Sequence, residues 1–257
     1  PNVGKSTIFN TLTHQNQYVS NWPGKTCELT TALYQRGETC ARIVDLPGIY
    51  SLTANSEEER IAREFLIHCR PDVVIAIVDA AALERSLYLT AELVCLPVPV
   101  VVAMNRLDVA DSQGITIEPH VLQAALGLPV VPMIASRNLG VTELIETALR
   151  VAQTPRERPP NRPEIQADHR AVFEAIERQV TGKTPDPYPP DWVALKLLEG
   201  DAEITDLMRA TLGPEWEAVA GLLAQHDDSY LAVASGRYEW IGRMVRAAVV
   251  QPRLGQV

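Results

Sequence analysis

Residues 72–108 read DVVIAIVDAAALERSLYLTAELVCLPVPVVVAMNRLD, and the order of patterns in this stretch decides the fold. It opens with a continuous apolar, β-branched run that ends at Asp79. It closes with a second such run, PVPVVVAMN, that ends at Asn105. Continuous runs of this kind mark strands buried on both faces, as in a parallel sheet. Between them, Leu83 to Val94 has helical spacing. Strand, helix and strand in that order build a doubly wound α/β sheet.

The alternation continues outward. TTALYQ and TCARIVD flank Arg36-Gly37-Glu38 and read as a β-hairpin, while Glu57 to Cys69, Glu118 to Leu126 and Val141 to Ala152 read as helices. The composition then changes. TPRERPPNRPEIQ (154–166) carries four prolines and reads as a linker with little to pack. Only helical patterns follow. The last of them spaces Leu231, Ala234, Tyr238, Ile241, Val245 and Ala248 for one buried helix face. The expected domains are 1–153, a linker 154–166, and an all-α domain 167–257.

Composition narrows the function. Lys and Arg total 23 against 32 Asp and Glu, a net charge of -9, which argues against a nucleic-acid partner. No apolar run reaches the 18 or so residues of a membrane span. Cys27, Cys40, Cys69 and Cys95 form no C-x-x-C pair and have no histidine cluster nearby, so reduced thiols are expected rather than zinc or disulfides.

The chemistry lies at the ends of the strands. NVGKST (2–7) matches the tail of a phosphate-binding loop, in which the backbone N–H groups of Val3, Gly4, Lys5, Ser6 and Thr7 would surround phosphates. Lys5 would reach the β- and γ-phosphates, and Ser6 would offer its hydroxyl to Mg²⁺. ARIVDLPG places Asp45 at a strand end with Gly48 three residues on: a carboxylate for Mg²⁺ and an N–H for the γ-phosphate. Asn105-Arg106-Leu107-Asp108 stands close to the N-K-x-D guanine reader. A carboxylate can accept from both guanine N1–H and the 2-amino group, a pair adenine lacks, so Asp108 implies GTP and GDP rather than ATP. Arg106 replaces the usual lysine, and its stem and planar head would lie against the base. Ala135-Ser136 follows a further strand, and the Ala135 N–H would meet guanine O6. In order, these motifs describe a GTPase: an α/β P-loop GTPase doubly wound sheet followed by a small all-α helical domain. The loop pattern and the central strand of such a fold also predict a parent chain with a short apolar strand and Gly-x ahead of Pro1.

The residues between the motifs resemble the FeoB family of bacterial ferrous-iron transporters. SNWPGKTCEL is similar to that family's first switch, DLPGIYSLTANSEEERIAREFL to its second switch and following helix, and VDAAALERSLYLTAELV to its next strand and helix. DWVALKLLEGD and DSYLAVASGRYEWIGRMVRAAV resemble the helical domain that follows the G domain. The resemblance implies that Thr26 senses Mg²⁺ and that Asn2 helps to bind K⁺, capped by carbonyls around Trp22 and Gly24. It also implies that the helical domain favours GDP retention, and that the chain works on the cytoplasmic side of the inner membrane beside the transporter's membrane domain. A homo-oligomer is compatible with it. The last 21 residues carry four arginines and one acidic residue, as a segment entering a membrane from the cytoplasm would.

Ile49 stands where many GTPases place a water-orienting glutamine, so hydrolysis is expected to be slow. Its catalytic set would be Asn2, Lys5, Thr26 and Gly48, with a K⁺ ion offsetting the charge that develops beside the phosphates. Two alternatives stay open: a soluble K⁺-dependent GTPase of ribosome assembly or tRNA modification, and a guanine-nucleotide scaffold without turnover.

Overall fold

The computed structural model describes residues 3–13, 17–21, 28–37, 39–54, 56–154 and 159–250. The first unit opens with α1 (Lys5–Thr13). It is followed by β1 (Gln17–Asn21), β2 (Glu28–Arg36) and β3 (Thr39–Asp45), which pair antiparallel in that order. Then come α2 (Glu57–Cys69), β4 (Val74–Asp79), α3 (Leu83–Leu93), β5 (Val100–Asn105), α4 (Leu107–Ser112), β6 (Thr116–Ile117), α5 (Pro119–Leu126), β7 (Val130–Pro132) and α6 (Val141–Gln153).

β4, β5 and β7 form a parallel sheet with β5 at its centre, and every residue of β5 is buried. Its alternate side chains divide between two cores. Val100, Val102 and Met104 pack with Leu87 of α3 and Leu122 of α5, while Val101 and Ala103 pack with Ile8 and Leu12 of α1 and Leu144 of α6. A strand covered on both faces has no use for polar alternation, hence VVVAMN.

The hairpin strands β1–β3 and the parallel strands β4, β5 and β7 stand in separate sheets, and among the described residues β3 and β4 share no ladder. Side chains join them instead. Half-buried Ile43 of β3, with Ile75 and Ile77 of β4, packs against the cluster around Ile8 and Leu12.

The second unit is α7 (Ala167–Val180), α8 (Pro190–Leu198), α9 (Ala202–Leu212), α10 (Trp216–Ala224) and α11 (Ser229–Ala248), followed by β8 (Val249–Val250). It does not stand apart. Trp240, Ile241 and Met244 of α11 share one core with Leu87 and Ala91 of α3, and β8 pairs antiparallel with β6.

Two sequence expectations are corrected here. α11 is rotated relative to the face read from its apolar spacing: Leu231 and Tyr238 are exposed, while Val233, Gly236, Arg237, Trp240 and Met244 face inward with Ile241 and Ala248. Two of those inward positions are a glycine and an arginine, which no apolar pattern counts. Gly236 is needed because a Cβ there would lie 2.0 Å from the Glu164 carbonyl oxygen. The described stretch 159–166 of the linker is also packed. The Asn161 N–H donates to the Leu126 carbonyl at 2.9 Å, its Oδ1 accepts the indole N–H of Trp240 at 3.0 Å, and Ile165 packs on the core. No helix among the described residues is long and apolar enough to cross a membrane.

Candidate nucleotide site

The candidate residues converge where the first unit's strands end. Gly4 has φ +94°, a conformation open to glycine, and its carbonyl accepts the first α-helical bond of α1 from the Ile8 N–H at 3.0 Å. A side chain would not fit: a Cβ at Gly4 would lie 2.3 Å from Asn105 Nδ2. Lys5, Ser6 and Thr7 form the first turn of α1, with Ser6 and Thr7 exposed and no acidic residue among them. Unpaired N–H groups and the positive end of the helix dipole therefore face outward, the arrangement that binds phosphate.

Lys5 Nζ lies 2.6 Å from Asp45 Oδ1, at the last residue of β3. Gly48 is exposed three residues later, and half-buried Ile49 packs against the main core. The Asp45 carboxylate and the Ser6 hydroxyl are hard-oxygen donors of the kind that suits Mg²⁺, which keeps most of its ligands as water and phosphate oxygen.

Asn105 ends β5 and is 3% exposed. Its Nδ2 donates to the Val3 carbonyl at 2.9 Å, and its Oδ1 accepts the Ala135 N–H at 2.9 Å. One buried amide thus ties the phosphate-loop segment to the loop after β7. The Ala135 N–H expected at guanine O6 is donated to Asn105 here, because a buried amide oxygen needs a donor. Asp108, in the first turn of α4, accepts the Val109 N–H on Oδ1 at 3.1 Å and has Arg137 Nη2 3.8 Å from Oδ2.

Arg106 follows Asn105 directly. Its backbone is left-handed at φ 65°, and its guanidinium binds the Asp79 carboxylate at the end of β4. Asp79 is 7% exposed and also accepts the Ala81 N–H at 2.9 Å, so the buried carboxylate takes the nearest cation. Asp79 and Arg137 were not among the residues read from sequence. Asp79 had a signal, since it ends an apolar strand as Asp45 and Asn105 do; Arg137 had none.

Asn2, Trp22, Gly24 and Thr26 lie outside the described residues. Among the described residues no cluster of three or more histidine, cysteine or acidic side chains could hold a metal by itself. The oxygen donors available for Mg²⁺ among the described candidates are the Ser6 hydroxyl and the Asp45 carboxylate.

Comparison with known proteins gives these residues a context. Residues 1–148 match the family model described as Ferrous iron transport protein B, and residues 164–250 match the FeoB cytosolic helical domain. The Fe(2+) transporter FeoB of Legionella pneumophila (strain Lens) is 46% identical over 157 residues, 60% of this chain and 21% of its own length. That of Escherichia coli (strain K12) is 36% identical over 253 residues, 94% of this chain and 31% of its own. The chain therefore spans less than a third of either relative. Among solved structures, the cytosolic domain of L. pneumophila FeoB superposes with a TM-score of 0.82 at 34% identity, covering 98% of this chain and 97% of that one. A mutant of S. thermophilus NFeoB bound to GDP gives 0.85 at 32% identity, covering 97% and 96%. The cytosolic domain of T. maritima FeoB in a GMPPNP form gives 0.82 at 32% identity, covering 98% and 96%.

Proposed function

The chain belongs to the FeoB family, and from that premise we propose that it binds and hydrolyses GTP as the regulatory module of a ferrous-iron membrane transporter. In this reading it works on the cytoplasmic side of the membrane, and its partner is the membrane part of the same protein. The observation that carries the nucleotide reading is Asn105. Its single amide ties Val3, next to the phosphate-binding turn, to Ala135 in the loop after β7, the loop whose Arg137 faces Asp108. Similar structures described as bound to GDP and in a GMPPNP form support a guanine nucleotide.

Each residue then has a task. The N–H groups of Gly4 to Thr7 surround the phosphates at the start of α1. Lys5 leaves Asp45 for the β- and γ-phosphates and frees that carboxylate for the magnesium side of the site, together with Ser6 and Thr26. Gly48 offers its N–H to the γ-phosphate, and Asp108 accepts the two guanine protons. Ser6, Asp45 and Thr26 would hold Mg²⁺, which would supply charge neutralisation for the phosphates. Asn2, Trp22 and Gly24 would hold K⁺, which would supply positive charge that favours the transition state. Ile49 cannot orient water through its side chain, which makes turnover slow.

The test is phosphate release from GTP in KCl and in NaCl, with Asn2→Ala alongside. Slow turnover that is faster in K⁺, with the difference erased by Asn2→Ala, is expected. Equal rates in the two salts would remove the potassium role. Tight GDP binding without turnover in either salt would favour a nucleotide-binding scaffold, the reading that Ile49 leaves open.

A further inference from the structure

Seven residues beyond Asp45 the chain is pinned a second time. Leu52 is fully buried, and its N–H donates to Glu92 Oε2 of α3 at 2.5 Å. Thr53 Oγ1 lies 3.4 Å from the other carboxylate oxygen. Glu92 sits between the two units and meets cations from the helical one. Lys196 Nζ of α8 is 3.5 Å and Arg237 Nη1 of α11 is 3.4 Å from Glu92 Oε1. Both cations also reach Glu199: Lys196 Nζ is 2.7 Å from Oε2, and Arg237 Nη2 contacts Oε1. No side chain of the four is more than 7% exposed. Burial works against charge on Arg237, but Glu199 and Glu92 outweigh it and hold the guanidinium above its ordinary pKa.

Two buried carboxylates balanced by two buried cations tolerate no single loss, because the abandoned partner is left uncompensated. Such a cluster could simply hold the units together. The buried Arg63–Asp201 pair, at 2.6 Å, already joins α2 to the start of α9, yet among the described residues it bonds no backbone group of the loop after Gly48. Glu92 does, through the Leu52 N–H.

Building on the GTPase reading, we propose that Glu92 is a positioning residue for GTP hydrolysis. It fixes the Gly48-bearing loop at Leu52, and the helical unit sets that loop through Lys196 and Arg237. Residues 46–51 are held at both ends, by the β2–β3 ladder at Asp45 (opposite Thr30) and by Glu92 at Leu52. The Arg85 guanidinium over the Tyr50 ring, 4.5 Å from its centroid, steadies the middle. A short loop tied at both ends has few conformations left, which keeps the Gly48 N–H aimed at the γ-phosphate. GDP has no γ-phosphate. Loosening Leu52 therefore slows hydrolysis and leaves GDP binding alone.

The experiment compares Glu92→Gln, Lys196→Met and charge-keeping Lys196→Arg with Ile176→Val, a fully buried change in α7 away from the loop. Hydrolysis kinetics, GDP affinity, melting temperature and hydrogen exchange of the Leu52 amide are read for each. Glu92→Gln and Lys196→Met should lower kcat about tenfold, with KM for GTP and GDP affinity within about twofold, and should speed Leu52 exchange. Lys196→Arg should keep the parental kcat, and Ile176→Val should lower only the melting temperature. A melting temperature that falls without change in kcat or Leu52 exchange would make Glu92 purely structural and overturn the proposal. Should the parent protein bind no guanine nucleotide, the GTPase reading fails, while Leu52 exchange still decides whether Glu92 and the helical unit hold this loop.

Discussion

Lys5 Nζ lies 2.6 Å from Asp45 Oδ1, so the cation at the start of α1 rests on the carboxylate at the end of β3. Both side chains keep some exposure, 32% and 20%, which limits the pair's worth to stability to about 1 kcal/mol or less. Lys5→Met should thus leave the melt nearly unchanged while weakening GTP and GDP binding at least about hundredfold. Two charge-assisted bonds to phosphate would be lost, at roughly 1.5–3 kcal/mol each. Titration with a fluorescent guanine nucleotide checks it.

Asn105→Ala should be felt in both stability and binding. It leaves the Val3 carbonyl and the buried Ala135 N–H unpaired, at roughly 1–3 kcal/mol for each orphaned group. Asn105→Asp keeps an acceptor for Ala135 but sets a buried carboxylate against the Val3 carbonyl oxygen, so it should cost at least as much as Asn105→Ala. Urea unfolding of the three proteins orders them, and an unchanged midpoint for Asn105→Ala would deny the bridge any structural role.

Asp108→Asn addresses the choice of base. The amide can donate to the 2-carbonyl of xanthine and no longer accepts two protons from guanine. GTP binding should weaken tenfold or more and xanthosine triphosphate binding should improve, given roughly 1.5–3 kcal/mol per bond to a charged acceptor. Competition between the two nucleotides is the measurement; equal affinity in variant and parent would remove Asp108 from the site.

Arg63 is 1% exposed and faces Asp201 and Glu203 at the start of α9. Arg63→Met leaves a buried carboxylate without its cation and should cost about 3–5 kcal/mol by denaturant unfolding. Asp201→Asn should cost less, because an amide oxygen can still accept the Ile204 N–H that Asp201 now caps at 3.1 Å.

His169 gives the helical unit a pH dependence. Asp168 and then Asp228 hold its pKa above the usual 6.5. This contribution to stability is full below 6.5 and is lost as pH rises through the raised folded value. The two aspartates, held below 3.8 chiefly by their bonds to His169, contribute above 3.8 and lose their share as pH falls through their folded values. Stability should therefore decline as pH rises above about 6.5, and His169→Gln should flatten that slope. Melting temperatures of both proteins across this range give the comparison.

The parallel strands and the helices between them are legible in the residues alone, as are Asp45 and Asn105 at strand ends and Lys5 and Asp108 at the starts of α1 and α4. These are local matters: an unbroken apolar run has to be buried on both faces, and a polar residue that ends it has to emerge at the sheet's edge. The tertiary structure alone decided the rest. The inward face of α11 follows Gly236 and Arg237 rather than its apolar spacing, because it answers to the Glu164 carbonyl and to Glu92 and Glu199. Arg106 goes to Asp79, and the Ala135 N–H goes to Asn105. A buried polar group takes whatever partner the packed chain brings within reach, and sequence spacing does not record which one that is.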